Sequence, residues 1–318
     1  MKLITIFLTA LTITSCTLGT SQQKQSYKTF ADWCKNKSSL SWGARHTVDV
    51  LLKEAGTKDC EEANQKLSNL EKISIGQKRI SNLQPLSSLT NLNTLLLDNN
   101  NINDIKPLSK LTNLDTIYLT NNKIKDIKPL ATLTNLTSLH LQRNKIKDIK
   151  PLENLDKLES VFLGNNQISD SQSPVKLISP NLRFLALSKN NISDLSFVSK
   201  LNNLRSLHLD SNQISNLKPL ENLTNLNRLD LKDNKIFNIR PLADLYNLTE
   251  LYLSQNEISD LRPLSDLNNL NRLRLNENEI SNIKPLSDLN NLKYLSLSEN
   301  PIEDTTCPIQ SVSVCAFE

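Results

Sequence analysis

The sequence predicts an α/β solenoid: an arc with short parallel strands on its concave side and 3₁₀ turns on its convex side, a helical N-terminal cap and a disulfide-closed C-terminal cap. Three observations carry this expectation. A frame reading Leu-x-x-Leu-x-Leu-x-x-Asn-x-Ile opens at Leu92, closes with Asn100 and Ile102, and returns almost always after 22 residues. Its opening leucines recur at Leu114, Leu136, Leu158, Leu182, Leu204, Leu226, Leu248, Leu270 and Leu292, after a degenerate first copy at Leu70. Residues 29–69 show helical apolar spacing instead, and all five cysteines lie outside the repeated stretch. Units of this length bury their apolar sides only by stacking, so one elongated body can grow to 318 residues without a second core.

At the N-terminus, Lys2 precedes an apolar run over residues 3–14, too short to span a bilayer and broken by threonines as signal-peptide cores are. The run ends Ile13-Thr14-Ser15-Cys16. This resembles the bacterial lipobox, an aliphatic residue and two small ones before the cysteine that is acylated. The resemblance implies a signal peptide over residues 1–15, lipidation of Cys16 and a lasting membrane anchor, at about 0.8 kcal/mol for each buried CH₂ of the acyl chains. An ordinary cleaved signal peptide with an incidental Cys16 is the competing reading. Residues 16–28, rich in Ser, Gln, Thr and Lys, have the polarity of a tether.

Residues 29–69 read as a helical cap. Val48, Leu51, Leu52 and Ala55 make an apolar stripe stopped by Gly56, and Asp59 with Glu62 reads as a variant capping box opening a helix through Leu67 and Leu70. Cys34 and Cys60 lie before the repeats, and Cys307 and Cys315 after them. With Cys16 taken by lipid, this distribution predicts the pairs Cys34–Cys60 and Cys307–Cys315, formed in an oxidising compartment and shielding the two apolar ends. Zinc is the alternative, but cysteines at opposite ends of a rod cannot converge on one ion. No metal and no cofactor is expected.

Within one repeat, Leu114, Ile117 and Leu119 put apolar side chains on one side of a short strand and leave Tyr118 on the other. Asn122 ends the strand where backbone groups are left unpaired. Its equivalents, from Asn100 to Asn300, are expected to form a ladder, with asparagine supplying many of the turns that a chain of only 5 glycines needs. Ile124 and Ile127 return to the core, and Pro129 opens a turn carrying Leu130, Leu133 and Leu136 at 3₁₀ spacing. At about 4.8 Å per strand, eleven units span on the order of 50 Å. The unit over residues 158–181 is longer, with Ser171-Gln172-Ser173-Pro174 in its turn, and the next unit has Phe197 in place of proline. The insertion is expected to bulge on the convex side and alter curvature locally.

The repeat with its Ile-Lys-Pro-Leu turn is the leucine-rich repeat signature. It resembles the internalin-type repeats of bacterial surface proteins over residues 70–302. The runs Ala31-Asp32-Trp33-Cys34 and Ala55-Gly56-Thr57-Lys58-Asp59-Cys60 are similar to the cap of secreted bacterial proteins of this kind, and residues 303–318 to their C-terminal closure. The resemblance implies a recognition module on the cell envelope, on its periplasmic side or at the surface, or else secreted, and monomeric. A structural envelope spacer without a ligand and a phosphatase-regulator-like repeat protein are the alternatives; the latter needs neither a signal peptide nor cap disulfides.

Catalytic signatures are absent: no phosphate loop, no Gly-x-Ser-x-Gly, no His-Glu-x-x-His and no Cys-x-x-Cys. Of the three histidines, His140 and His208 occupy equivalent outward positions three units apart, about 14 Å at the strand spacing and too far to share a metal. A net charge of +4 with both signs interspersed gives no nucleic-acid footprint. Function is therefore sought where repeats differ. One outward strand position reads Leu96, Tyr118, His140, Phe162, Ala186, His208, Asp230, Tyr252, Arg274 and Ser296; its neighbour adds Phe184, Arg228, Glu250, Arg272 and Tyr294. Leu96, Tyr118, His140, Phe162 and Phe184 are expected to form one contiguous strip able to anchor a protein or other macromolecule. Lys123, Lys125, Arg143, Lys145 and Lys147 crowd a rim beside it, and Glu257, Glu277, Glu279, Glu299 and Glu303 replace them toward the other end.

The lipobox yields the first test. The mature protein is expected to partition into detergent, and Cys16→Ala to abolish acylation and processing together; a fully soluble, unacylated wild type removes the anchor.

Overall fold

A computed structural model of the chain describes residues 27–170, 179–309 and 315–317; Cys16, the signal peptide, most of the tether and residues 171–174 lie outside the described residues. Twelve strands among the described residues form one open parallel sheet in chain order. They are β1 (Lys72–Ser74), β2 (Thr94–Leu96), β3 (Thr116–Tyr118), β4 (Ser138–His140), β5 (Ser160–Phe162), β6 (Phe184–Ala186), β7 (Ser206–His208), β8 (Arg228–Asp230), β9 (Glu250–Tyr252), β10 (Arg272–Arg274), β11 (Tyr294–Ser296) and β12 (Cys315–Ala316). Each is short because only its central residue must point inward, and Ile117, Leu139 and Val161 stand in one row.

Leu114, Ile117, Leu119, Ile124, Ile127, Leu130, Leu133 and Leu136 are all wholly buried, and their equivalents continue the core from repeat to repeat. The expected 3₁₀ turns form, for instance at Lys128–Thr132. What starts them is an acceptor two residues earlier: Asp126 Oδ1 takes the Lys128 N–H at 2.9 Å, and Asp104, Asp148 and Asp260 do the same in their repeats. Proline is therefore dispensable. At Ser196–Val198, where Phe197 replaces it, Asp194 accepts the Ser196 N–H at 2.8 Å and the turn persists.

The ladder asparagines are fully engaged. Asn144 Oδ1 accepts the Ile124 N–H at 3.0 Å, and its Nδ2 donates to the carbonyls of Leu119 at 2.9 Å and Leu141 at 3.0 Å, so one side chain ties two consecutive repeats. Asn122 and Asn300 repeat the pattern near either end. The residue before each ladder asparagine takes the left-handed conformation, and here the sequence expectation needs correction. Asn99, Asn121 and Asn165 do so, but Arg143, Lys189, Ser211, Asp233, Gln255, Glu277 and Glu299 hold the same backbone at φ 54 to 59°. Left-handed backbone costs such residues roughly 1–2 kcal/mol, and the bonds of the adjacent asparagine hold it in place whatever the side chain.

The longer unit does not disturb the sheet. Phe184 pairs with Ser160 in ordinary register, and Asn190 still takes the Ile168 N–H at 3.0 Å.

The N-terminal cap has three α-helices, α1 (Phe30–Lys35), α2 (Trp42–Ala55) and α3 (Cys60–Ser68). Gly56 ends α2 in the left-handed region, and Asp59 caps α3 through the Glu62 N–H at 2.8 Å. Two details differ from expectation. The α3 helix stops at Ser68, short of Leu70, because Lys72 already belongs to the first strand. The reciprocal capping box sits on α1, where Thr29 Oγ1 accepts the Asp32 N–H at 3.2 Å and Asp32 accepts the Thr29 N–H at 2.9 Å, holding the Asp32 carboxyl below its usual range. Tyr27 and Lys28 accordingly belong to the cap rather than the tether: the Tyr27 ring lies 4.3 Å from that of Trp33, and the Lys28 N–H donates to Asp32.

Both expected disulfides are present, with Cα separations of 5.6 Å for Cys34–Cys60 and 5.8 Å for Cys307–Cys315. The first joins α1 to the start of α3; the second ties β12, which pairs with β11, to Cys307 in the segment between the two strands. Among the described residues no helix is long and apolar enough to cross a membrane.

Asn144→Ala leaves an N–H and two carbonyls without their partner and should lower unfolding free energy by about 3–5 kcal/mol, as much as emptying a core position with Leu119→Ala. Urea unfolding measures both, and a loss below about 1 kcal/mol for Asn144→Ala contradicts the role given to the ladder.

Candidate functional site

Because register is unbroken, outward residues align in columns on the concave face. In one column Leu96, Tyr118, His140 and Phe162 stand on β2 to β5 in direct succession. The Tyr118 and His140 rings stack with centroids 4.0 Å apart and planes 9° apart, and His140 stacks on Phe162 at 4.5 Å and 14°. These spacings match the strand separation, so the sheet itself sets the stack. Ser138 Oγ lies 3.1 Å from His140 Nε2 and fixes the ring edge.

The strip is shorter than expected. Phe184 stands in the neighbouring column opposite Ser160, while Ala186 follows Phe162. Alternation along a strand puts both residues on one face but in different columns, and Phe184 is left 43 % exposed.

A second constellation occupies β8 to β11, with Arg228, Glu250, Arg272 and Tyr294 in one column and Asp230, Tyr252, Arg274 and Ser296 in the other. Arg228 pairs with Glu250 at 3.0 Å, and the Tyr252 hydroxyl donates to the same carboxylate at 2.6 Å. Guanidinium groups lie over the tyrosine rings: Arg228 and Arg274 over Tyr252 at 5.1 and 5.3 Å, Arg272 and Arg274 over Tyr294 at 5.4 Å each. The group lines a concavity of about 610 Å³. Sequence reasoning put Glu250 and Tyr294 on this face but gave them no role; the signal was their register, which sets Arg272 opposite Tyr294 and Arg274 opposite Tyr252, and places Arg228 diagonal to Tyr252 and Arg274 diagonal to Tyr294. It missed Lys232, Ser254 and Asn276, which line the same concavity two residues beyond the ends of β8, β9 and β10.

Burial tunes the titratable groups. It lowers the His140 pKa, against a weaker opposing pull from Asp98, and lowers that of His208, with Arg228 adding to the effect. Burial also raises the Asp230 carboxyl, and burial with the Glu250 hydrogen bond raises the Tyr252 hydroxyl. His140 and His208 stand in separate strands, β4 and β7, each hydrogen-bonded to a serine of its own strand.

The basic rim residues Lys123, Lys125, Arg143, Lys145 and Lys147 are all exposed. Lys125, Lys145 and Lys147 line a shallow concavity with Ile127 and Pro151, so they run from the ladder toward the convex turns, with Asp126 and Asp148 among them. The acidic Glu257, Glu277, Glu279, Glu299 and Glu303 are likewise exposed.

A family model described as Leucine Rich repeats (2 copies) matches residues 90–132, 134–176 and 180–222. The structure is similar to an internalin (inlF) of Listeria monocytogenes, at 34% identity over 81% of this chain and 76% of that one, with a TM-score of 0.76. A leucine-rich repeat protein of Leptospira interrogans superposes with a TM-score of 0.69, at 24% identity over 80% and 75% of the two chains. A plant peptide hormone receptor, RGFR1, solved in complex with RGF2, shares the fold at 22% identity and a TM-score of 0.60, over 76% of this chain and 45% of that one. No curated protein matches significantly.

The lowered histidine pKa values have a testable sign. A folded-state value below the ordinary one, about 6.5, means that the unfolded chain takes up protons first as pH falls, so this contribution is present above that value and lost below it. The melting temperature of the wild type should therefore fall more between neutral and mildly acidic pH than that of the His140→Gln, His208→Gln double variant. Equal falls contradict the neutral imidazoles placed here.

Proposed function

Because the chain belongs to the internalin-like leucine-rich repeat proteins, we propose that it is a recognition module that binds a protein partner through its concave face. The fold is in general a protein–protein recognition scaffold, and repeat proteins of this kind are typically binding modules rather than enzymes. The observation that carries the reading is the Tyr118–His140–Phe162 stack, half-buried and fixed by the sheet at 4.0 and 4.5 Å. Rings already held by neighbours lose little freedom on binding, and such aromatics anchor interfaces. Phe184, 43 % exposed, extends the anchor sideways. The Arg228–Arg274 cluster adds charged contacts further along the face, and the lysine rim steers encounter. The peptide hormone on the plant receptor supports a polypeptide as the partner class.

The lipobox at Cys16 supports placing the protein on the cell envelope, held to a membrane by lipid with the repeats projecting from it. The two cap disulfides fit an oxidising location.

With a partner captured from envelope and extracellular fractions, Tyr118→Ala and Phe162→Ala should each weaken binding by about 2 kcal/mol, roughly 30-fold, with little change in the melting temperature, because both rings lie outside the core. Lys123→Glu with Lys145→Glu should mainly slow association and flatten its salt dependence. Unchanged affinity in the double aromatic variant removes the concave stack as the anchor.

A further inference from the structure

The arginine and tyrosine cluster on β8 to β11 has one unmatched property. Its concavity is lined by four cationic side chains, Lys232 and three arginines, against three carboxylates, Asp230, Glu250 and Glu277. Glu250 is already engaged by Arg228 and by the Tyr252 hydroxyl. Arg272 and Arg274 have no carboxylate partner among the described residues, and both guanidinium groups are gathered on the Tyr294 ring at 5.4 Å. Two like charges held on one ring repel, and they are held there in the free protein.

The tyrosines attract charge without satisfying it. Arg274 lies over both Tyr252 and Tyr294, at 5.3 and 5.4 Å, and these ring faces offer no carboxylate oxygen to the N–H edge of its planar guanidinium. That edge matches the two oxygens of a carboxylate. The same concavity contains two of the four buried polar side-chain atoms that lack a hydrogen-bond partner among the described residues, Arg228 Nε and Asn276 Oδ1. A donor and an acceptor left unmet together are uncommon in a settled surface. They suit a ligand that brings both acceptor and donor groups, as a peptide does with its carbonyls and amide N–H groups.

We propose that this concavity receives a single carboxylate, an Asp or Glu side chain, of the polypeptide bound on the concave face, held by the guanidinium edges of Arg272 and Arg274. The inference rests on the concave face being the binding face and names the chemistry that one end of it reads. Charge decides against the competing anions. The excess of one positive charge balances one carboxylate, whereas a phosphate dianion or a polyanionic glycan meets the resident Asp230, Glu250 and Glu277.

The test uses the intact mature protein, immobilised, and three pools of short synthetic peptides that are random except for a central Glu, Gln or phosphoserine. The Glu pool should be retained about tenfold or more over the other two. Arg274→Ala and Arg274→Lys should each erase that preference, since lysine keeps the charge but lacks the planar fork, while thermal melting confirms folding. Should Arg274→Ala fail to fold, Arg272→Ala, at an exposed position, carries the same expectation. Equal retention of the Glu and Gln pools, stronger retention of phosphoserine, or a preference that survives the arginine changes overturns the proposal. Tyr118→Ala with Phe162→Ala separates the two readings. If retention falls in that variant but is indifferent to the arginines, the concave face binds without the carboxylate pocket; if it is indifferent to both, the concave face is not the binding surface.

Discussion

The asparagine ladder is the interaction on which the rest of the molecule depends. Each ladder side chain accepts the backbone N–H of an isoleucine in the preceding repeat and donates to carbonyls of two successive repeats, as Asn144 does with Ile124, Leu119 and Leu141. No leucine can do this, because apolar contact is not directional. Leucines supply the driving force for stacking, and the asparagines decide at what register and rise stacking occurs. Their grip also keeps Arg143, Lys189 or Glu277 in a backbone conformation that such residues avoid elsewhere.

Function is built on that register. Three rings stack on the concave face because Thr116, Ser138 and Ser160 stand side by side on the strands beneath, which places Tyr118, His140 and Phe162 one strand spacing apart. The arginine cluster uses the second geometric relation available on a parallel sheet, the diagonal, so that Arg228 reaches Tyr252 and Arg274 reaches Tyr294. One half of the face is thus apolar and stacked, the other charged and interleaved, and neither needs an irregular loop to form it.

Most of the fold was legible in the sequence, because a repeat multiplies each weak signal. The core leucines, the ladder and the 3₁₀ turns all follow from one frame read many times, and the disulfides follow from where Cys34, Cys60, Cys307 and Cys315 fall relative to it. Features that occur once were harder to read. The α1 helix is too short for apolar spacing to recur within it, although Thr29 with Asp32 carries a capping signature. The aromatic strip was overdrawn at Phe184, since facing the same way on a strand does not place residues in the same column. The unpaired Arg228 Nε and Asn276 Oδ1 were not legible at all, because a missing hydrogen bond depends on the placement of every neighbour.

The ladder also makes the molecule a ruler. Each asparagine bonds only its own repeat and the one before, so a whole unit inserted or deleted between β6 and β7 leaves every bond on either side intact. Such an event at the gene level shifts the aromatic half relative to the arginine half by one strand spacing, about 4.8 Å, with the small rotation that each repeat adds to the arc. The distance between two recognition elements in this lineage is therefore quantised, and a partner with a different separation between its own contacts can be matched by duplication or loss of repeats without redesign of either element.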